Sequence, residues 1–394
     1  MKIAVVQKDF YIGGIPSACI NFINCVSKEK DIEVTLFTFD KIDEKIIPDR
    51  VKIVYANKKL IPFAVSNAES KKRGVLFRLR WLMLRVWCKF FTNKIPLKVA
   101  LKKQKNIEEQ YDIAISFAPS SSNKTLSVGT SEFVLEKIKA KKKFVLFHND
   151  FQSSGLNTKF VVDGLSKFDK ILCVSKSCAE DMKNALPQLQ EKIDYLYNFL
   201  DSQAIIKKAN EYSVDYSSKV FNIVSVSRIS EEKGHLRLLK VLHTLIQNGY
   251  NKFCWHVVGN GKKMRQVQEY INRYGMRDNV KLYGAQDNPY PYIKKADLLI
   301  LPSYHESFGL VLVESFVLGV PVITTQTISA KEVVGDLGFV CENSEKGIYN
   351  QIKEIMDNSS LLNEKKVLLK NYNYDNLMII KKLKNLHEFD LGEN

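Results

Sequence analysis

The chain has 394 residues, 45% of them hydrophobic and 11% aromatic. That is enough for two ordinary domains with cores of their own and too apolar for a long disordered protein. Lys and Arg outnumber Asp and Glu 59 to 43, a formal net charge of +16, which calls for an anionic partner such as nucleic acid, a nucleotide, a phosphorylated substrate or acidic lipid.

The seven cysteines include no C-x-x-C pair, which argues against a metal or redox motif and for reduced thiols in a cytosolic protein. The opening "MKIAVVQKDF" has a strand pattern and not the basic end, apolar core and small-residue cleavage site of a signal peptide. No uncharged apolar run reaches the roughly 20 residues of a membrane-spanning helix.

Along the first half, strands are expected at 2–7, 33–39, 51–56, 112–117, 143–148, 170–175 and 192–197. Helical stretches lie between several of them, at 16–28, 128–140 and 176–186. Most of these strands are too apolar to be half-exposed, which is the mark of parallel strands buried on both faces.

Within this half, residues 71–105 carry twelve Lys or Arg and no acid. As a helix, the segment puts Arg78, Arg85 and Lys89 on one face and Leu79, Leu82, Val86 and Phe90 away from it, with Arg80 breaking the pattern. Trp81 and Trp87 suit a water–lipid boundary. Two readings stand: a basic amphipathic helix on an anionic membrane surface, or a helix whose apolar side is core. No nucleic-acid-binding motif accompanies the charge.

The polar stretch 201–219 is the expected linker. The pattern then restarts, with strands at 221–227, 253–259, 280–284, 297–303, 320–325 and 338–341, and a helix over 235–248 closed by Gly249. The fold class is therefore α/β: two doubly wound, Rossmann-like domains, 1–200 and 201–373. Ligands of such sheets bind beyond the carboxyl ends of the strands, so a site is expected where the two sheets face each other across a cleft.

Four features of the second half fall at strand ends. "SVSRISEEKG" sets Arg228 and Lys233 on a strand-to-helix turn, where two cations can clamp a diphosphate or simply be solvated. "VVGNGKK" has Gly259 and Gly261 after a buried strand, letting backbone approach a ligand closely. It is neither a dinucleotide fingerprint nor a phosphate loop. In "YGAQDNPYPYIKKAD" the backbone of Ala285 and Gln286 can read the edge of a base, or form an ordinary loop. In "HESFGLVLVE" a helix is expected to start at Gly309, setting the amides of Phe308, Gly309 and Leu310 at an anion-favouring N-terminus. Glu306 lies before that helix and Glu314 on its second turn, both able to accept hydroxyl groups.

"HESFGLVLVES…GVPVIT" resembles the E-x7-E signature of the retaining glycosyltransferases of family four, also called glycosyl transferases group 1. "SRISEEKG" resembles that family's R-x4-K-G segment, and "VVGNG" and "LYGAQ" match in order and spacing. The resemblance is close in the second half and loose in the first.

It implies a GT-B fold with a first domain for the acceptor and a second for the nucleotide-sugar, and a C-terminal helix, 374–388, that crosses back onto the first. By the same resemblance, Glu314 binds ribose hydroxyls, Glu306 binds the donor sugar, and Arg228 and Lys233 neutralise the diphosphate. No D-x-D occurs in the chain, so fixed cations would replace a metal, and no cofactor is expected.

Gly13 and Gly14 in "FYIGGIPSACINFI" resemble the family's GG loop beside the phosphates. His148 in "LFHND" matches a histidine often found near the donor sugar, or is a structural histidine. "LYNFLD" has Phe199 where the family's hinge segment has glycine, which weakens a ligand role for Asn198.

The expected activity is transfer of a sugar from a nucleotide diphosphate donor, UDP-linked, to a lipid-linked oligosaccharide for surface polysaccharide, at the cytoplasmic face of the membrane. A catalytically silent partner subunit and a non-transferase enzyme such as a sugar-nucleotide epimerase are the rival readings.

Overall fold

The computed structural model describes residues 1–11 and 13–388. The chain divides into two compact units, residues 1–200 together with the C-terminal segment from Asn376, and residues 201–375.

The sheet of the first unit has seven strands: β1 (Lys2–Gln7), β2 (Glu33–Thr38), β3 (Lys52–Tyr55), β4 (Gln110–Ser116), β5 (Lys139–Phe147), β6 (Lys170–Cys173) and β7 (Ile193–Tyr195), in the order β3-β2-β1-β4-β5-β6-β7. Every pairing is parallel. Helices cover such a sheet on both faces, and Ile3 to Val6 of β1 are accordingly wholly inaccessible.

The second unit repeats the plan with β8 (Phe221–Val226), β9 (Phe253–Val258), β10 (Val280–Gly284), β11 (Leu298–Leu301), β12 (Val322–Thr325) and β13 (Phe339–Cys341), in the order β10-β9-β8-β11-β12-β13. Its core joins Trp255 and Ile300 in the sheet to Leu238, Leu242 and Leu245 on one helix and Ile348 and Ile352 on another. Both sheets are of the doubly wound, Rossmann-like kind.

Three expectations from sequence need correction. The helix expected over 128–140 stops at Lys137, and β5 begins at Lys139. The lysine-rich run 139–143 looks helical by composition, but it pairs with β4, Gln110 opposite Lys139 and Tyr111 opposite Ala140.

The expected linker 201–219 contains the helix Ser202–Ala209. Asp201 caps it by accepting a hydrogen bond from the Ala204 amide at 3.2 Å, and Ile205 and Ala209 are buried.

The third correction concerns residues 71–105, which form the helices Val75–Phe90 and Lys94–Lys102. The first is turned opposite to the core reading. Leu79, Val86 and Phe90 are exposed, at 52%, 55% and 68%, while Trp81 and Cys88 are buried. Arg78 does not project freely: it donates to Asn67 Oδ1 at 2.9 Å and to the Ser70 hydroxyl, and its guanidinium lies over the Trp81 ring.

The helix Asn376–Glu388 belongs to the first unit. Ile379, Ile380 and Leu383 are buried there, and Lys382 and Lys384 pair with Asp194 and Asp31, each at 2.8 Å.

Candidate active site

In the second unit the strand order reverses between β8 and β11, the topological switch point at which doubly wound sheets take their ligands. The turn after β8 carries Arg228 and Lys233, and the turn after β11 carries Ser303 to Gly309. Residues 73 apart in sequence thereby meet: Lys233 Nζ donates to Glu306 Oε2 at 2.6 Å, with side chains 17% and 15% exposed. Arg228 differs, being 72% exposed and only loosely paired with Glu232 at 3.5 Å. The site thus has a cation and a carboxylate held together and a second cation extended into solvent.

Arg237, which the sequence reading passed over, fixes the β11 turn. It is buried in the helix His235–Gln247 and donates to Pro302 O at 2.9 and 2.7 Å, to Ser303 O at 2.8 Å and to Asn343 Oδ1 at 2.7 Å. Its guanidinium also stacks 3.9 Å from the Tyr304 ring centroid. The signal was present: an arginine next to the leucines of that helix's apolar face is buried with them, and a buried guanidinium needs acceptors. Three carbonyl and amide oxygens around one planar fork set the position from which Glu306 reaches Lys233.

The turns after β8 and β9 lie against each other. The Ile229 amide donates to Asn260 O at 3.0 Å, and the Lys263 amide to Ile229 O at 3.0 Å. A Cβ at Gly259 would stand 1.9 Å from Ser227 O, and one at Gly261 2.3 Å from Ile229 O. These glycines are therefore required by backbone contact within the chain, and they bring the amides of this loop beside the Arg228 turn.

Gly309, at φ +75°, caps the helix Leu310–Val317 in a left-handed conformation, and a Cβ there would press on Leu312 and on Glu306 itself. Phe308 is buried beneath the turn. Gly309 and Leu310 open this helix, at the end where its dipole favours an anion, and Phe308 lies directly before them.

Glu314, on the second turn, is buried and accepts a hydrogen bond from the Tyr290 hydroxyl at 3.3 Å. Burial pushes its pKa up to about 7, against the hydrogen bond from Tyr290. Tyr290, also missed from sequence, ties the loop after β10 to this helix. In that loop Gln286 turns its carboxamide back onto Tyr283 O at 2.8 Å, beside Ala285.

The first unit holds the remaining residues, at the carboxyl ends of β1 and β5. Gly14 starts the helix Gly14–Val26, and a Cβ on it would meet nothing within 4 Å. Gly13 is extended, with a Cβ position 3.7 Å from Pro16 Cδ. Packing among the described residues demands neither glycine. His148 packs its ring 5.3 Å from that of Phe117, and burial pushes its pKa down to about 4, so the imidazole is neutral near pH 7. Its Nε2 is buried without a hydrogen-bond partner among the described residues.

Beside β1 and β2 the sequence reading missed a cluster: the Tyr11 hydroxyl and the Arg73 guanidinium both donate to the buried Asp40 carboxylate. Burial alone would raise the Asp40 pKa, but the bonds from Arg73 and Tyr11 outweigh it and hold the carboxyl below its ordinary value. Arg73, counted from sequence with the membrane-facing cations, is turned inward. Among the described residues no group of three or more His, Cys, Asp or Glu is placed to hold a metal.

Residues 210–375 match the sequence profile of Glycosyl transferases group 1. The second unit belongs to that family. One relative, the N-acetyl-alpha-D-glucosaminyl L-malate synthase of Bacillus anthracis, is 27% identical over 206 residues, 50% of this chain and 53% of its own. The N-acetylgalactosamine-N,N'-diacetylbacillosaminyl-diphospho-undecaprenol 4-alpha-N-acetylgalactosaminyltransferase of Campylobacter jejuni is 29% identical over 218 residues, 54% of this chain and 57% of its own. The alignments thus span little more than half the length of these curated relatives. Across 99% of this chain and all of the other, the structure resembles that of Anabaena HepE in complex with UDP and glucose, with a TM-score of 0.65 at 17% identity. The fold is GT-B.

Proposed function

We propose that this chain is a retaining glycosyltransferase that moves a sugar from a UDP-linked donor to a lipid-linked saccharide used in surface polysaccharide assembly, working at the cytoplasmic face of a membrane. The observation that carries the reading is the Lys233–Glu306 pair at the switch point of a group 1 unit. A carboxylate next to a cation suits a substrate with a hydroxyl-rich part joined to an anionic part, which is what a nucleotide sugar offers.

In this reading Arg228 and Lys233 take the diphosphate, helped by the loop of Gly259 and Gly261 and the amides of Phe308, Gly309 and Leu310. Glu306 accepts from the sugar hydroxyls and Glu314 from the ribose, while the backbone of Ala285 and Gln286 meets the base edge. Gly13 and Gly14, which the fold leaves uncrowded, let the donor phosphates or sugar approach, and the unpartnered Nε2 of His148 suits a sugar hydroxyl.

In this reading the chemistry is a front-face displacement, as the resemblance to the retaining family implies. The bond between the anomeric carbon and the β-phosphate oxygen breaks as the acceptor oxygen bonds to that carbon from the same face. The departing phosphate oxygen takes the acceptor proton, and fixed cations stabilise the charge that develops on it. A UDP-bound GT-B neighbour supports the donor class, and a relative named for a diphospho-undecaprenol substrate supports the acceptor class.

The test is a panel of nucleotide sugars, scored for protection against heat and for hydrolysis, with fresh nucleotide sugar of the kind that turns over then supplied together with lipid-linked saccharides. UDP-sugars should protect and turn over, and a chelator should change neither. Binding without turnover on any acceptor, epimerised donor as the product, or activity lost to chelator and restored by manganese would each overturn the corresponding part of the reading.

A further inference from the structure

Among the described residues, ten of the twenty exposed large hydrophobic side chains fall between Val75 and Val99. On the helix Val75–Phe90, seven of them, from Val75 and Leu76 through Leu79, Met83, Val86 and Trp87 to Phe90, gather within an arc of roughly 120° at about 100° per residue. They are 41% to 78% exposed.

The opposite side is the one that docks on the protein. Trp81 is 4% exposed and donates from Nε1 to Val65 O at 3.2 Å, and Arg78 and Arg85 cover its ring at 5.0 and 5.4 Å. The helix is therefore held by one face and presents a second apolar face outward. The next helix, Lys94–Lys102, does the same: Leu97 and Leu101 are buried, while Ile95 and Val99 are 63% and 51% exposed.

The charges around this face select the occupant. Arg80 and Lys89 are exposed and flank the arc, and Lys94, Lys98 and Lys102 accompany Ile95 and Val99. No acidic residue occurs between Glu69 and Glu108. A second copy seated here by two-fold symmetry would bring cations against cations with no carboxylate between them. A leaflet of anionic lipid offers apolar depth for the arc and negative charge for its rim.

We propose that the helix Val75–Phe90 lies in the plane of an anionic bilayer with the arc from Leu76 to Phe90 inserted, the helix Lys94–Lys102 resting beside it through Ile95 and Val99. The inserted face is thus not the face of Arg78, Arg85 and Lys89. This inference rests on the reading of a lipid-linked acceptor only for its purpose, since the surface itself binds lipid whether or not an acceptor is present. Attachment would leave the strand ends of the first unit at a fixed height above the leaflet.

Tryptophan fluorescence gives a local test, because the chain has three tryptophans, of which Trp81 and Trp255 are buried and Trp87 lies on the arc. Vesicles of phosphatidylglycerol and phosphatidylcholine, free of any saccharide lipid, should shift the emission to the blue, and Trp87→Phe should abolish the shift without abolishing sedimentation with the vesicles. Leu79→Glu with Phe90→Glu, both exposed and so compatible with folding, should reduce vesicle partition at least tenfold while UDP protection against heat persists. Part of the wild-type binding should survive high salt, because apolar insertion is not screened.

Unchanged partition of the double variant, or binding that salt removes completely, would overturn insertion. So would a concentration-dependent dimer in lipid-free solution that the double variant dissolves, since that makes the arc a contact between copies. Donor hydrolysis in detergent-free, lipid-free buffer reports separately on the transferase reading, so failure of either claim is seen apart from the other.

Discussion

Glu314 offers the sharpest quantitative test of the donor site. A carboxyl whose pKa burial raises to about 7 is half neutral near that pH. Ribose hydroxyls donate to it best as a carboxylate, so a nucleoside that binds the ionised form should gain affinity as pH rises. If only that form binds, the apparent affinity strengthens about tenfold between about pH 6 and pH 8. Uridine is the right probe, because it keeps the ribose and carries no phosphate that titrates in this window. His148, His235 and His256, all pushed down to about 4 by burial, are neutral throughout it. Assignment of the slope to this carboxyl rests on Glu314→Gln, which should flatten it.

Stability supplies a second reading with a fixed sign. A pKa raised on folding means that the folded state holds its proton more tightly. The associated stability is therefore complete below the ordinary value of 4.5 and is lost as pH rises through about 7. The full loss is on the order of 3 kcal/mol at 1.36 kcal/mol per pKa unit. Glu314→Gln, which keeps an acceptor for the Tyr290 hydroxyl, should thus melt higher than the parent above pH 7 and about level with it near pH 4. A flat uridine affinity in the parent, or a slope that survives Glu314→Gln, would remove Glu314 from the ribose site.

Lys233→Ala should weaken UDP by about 2 kcal/mol, roughly thirtyfold, through the lost charge-assisted contact, whereas Glu306→Gln should mainly lower turnover; comparing calorimetry with donor hydrolysis separates the two, and equal mild effects on both quantities would make the pair structural. Arg228→Ala should weaken UDP with little change in melting temperature, because that side chain is 72% exposed. Arg237→Ala should cost about 3 kcal/mol of stability in chemical denaturation, by leaving Pro302 O and Ser303 O buried without their donor, and Arg237→Lys should recover only part of it, since an ammonium cannot span the acceptors that the guanidinium fork reaches.

The strands were legible because a parallel sheet covered on both faces leaves continuous apolar runs, as in residues 2–7 and 221–227. Site residues at strand ends were legible for a related reason: polar or glycine residues directly after such runs stand out against them. What sequence could not give was which of these residues touch. Lys233 and Glu306 were assigned to different parts of a donor, yet they are hydrogen-bonded to each other, because β8 and β11, 75 residues apart in register, are neighbours in the sheet and bring the turns after them together.

Arg237 was legible as an arginine beside the apolar positions of its helix, but its acceptors, Pro302 O, Ser303 O and Asn343 Oδ1, lie 65 to 106 residues away and carry no sequence signature. The helix Val75–Phe90 was left between two readings for a different reason. Periodicity identifies an apolar face but not whether that face meets the protein, and here the docking side is made by Trp81, Cys88 and two arginines stacked on an indole. A helix with apolar residues on both sides satisfies the core with one of them and leaves the other available, so the hydrophobicity that looks like core in the sequence is, in Leu79, Val86 and Phe90, an outward-facing surface. The +16 net charge acquires a location by the same step: its longest acid-free run borders that surface, so in the proposed orientation its attraction to anionic lipid would act where the apolar side chains enter.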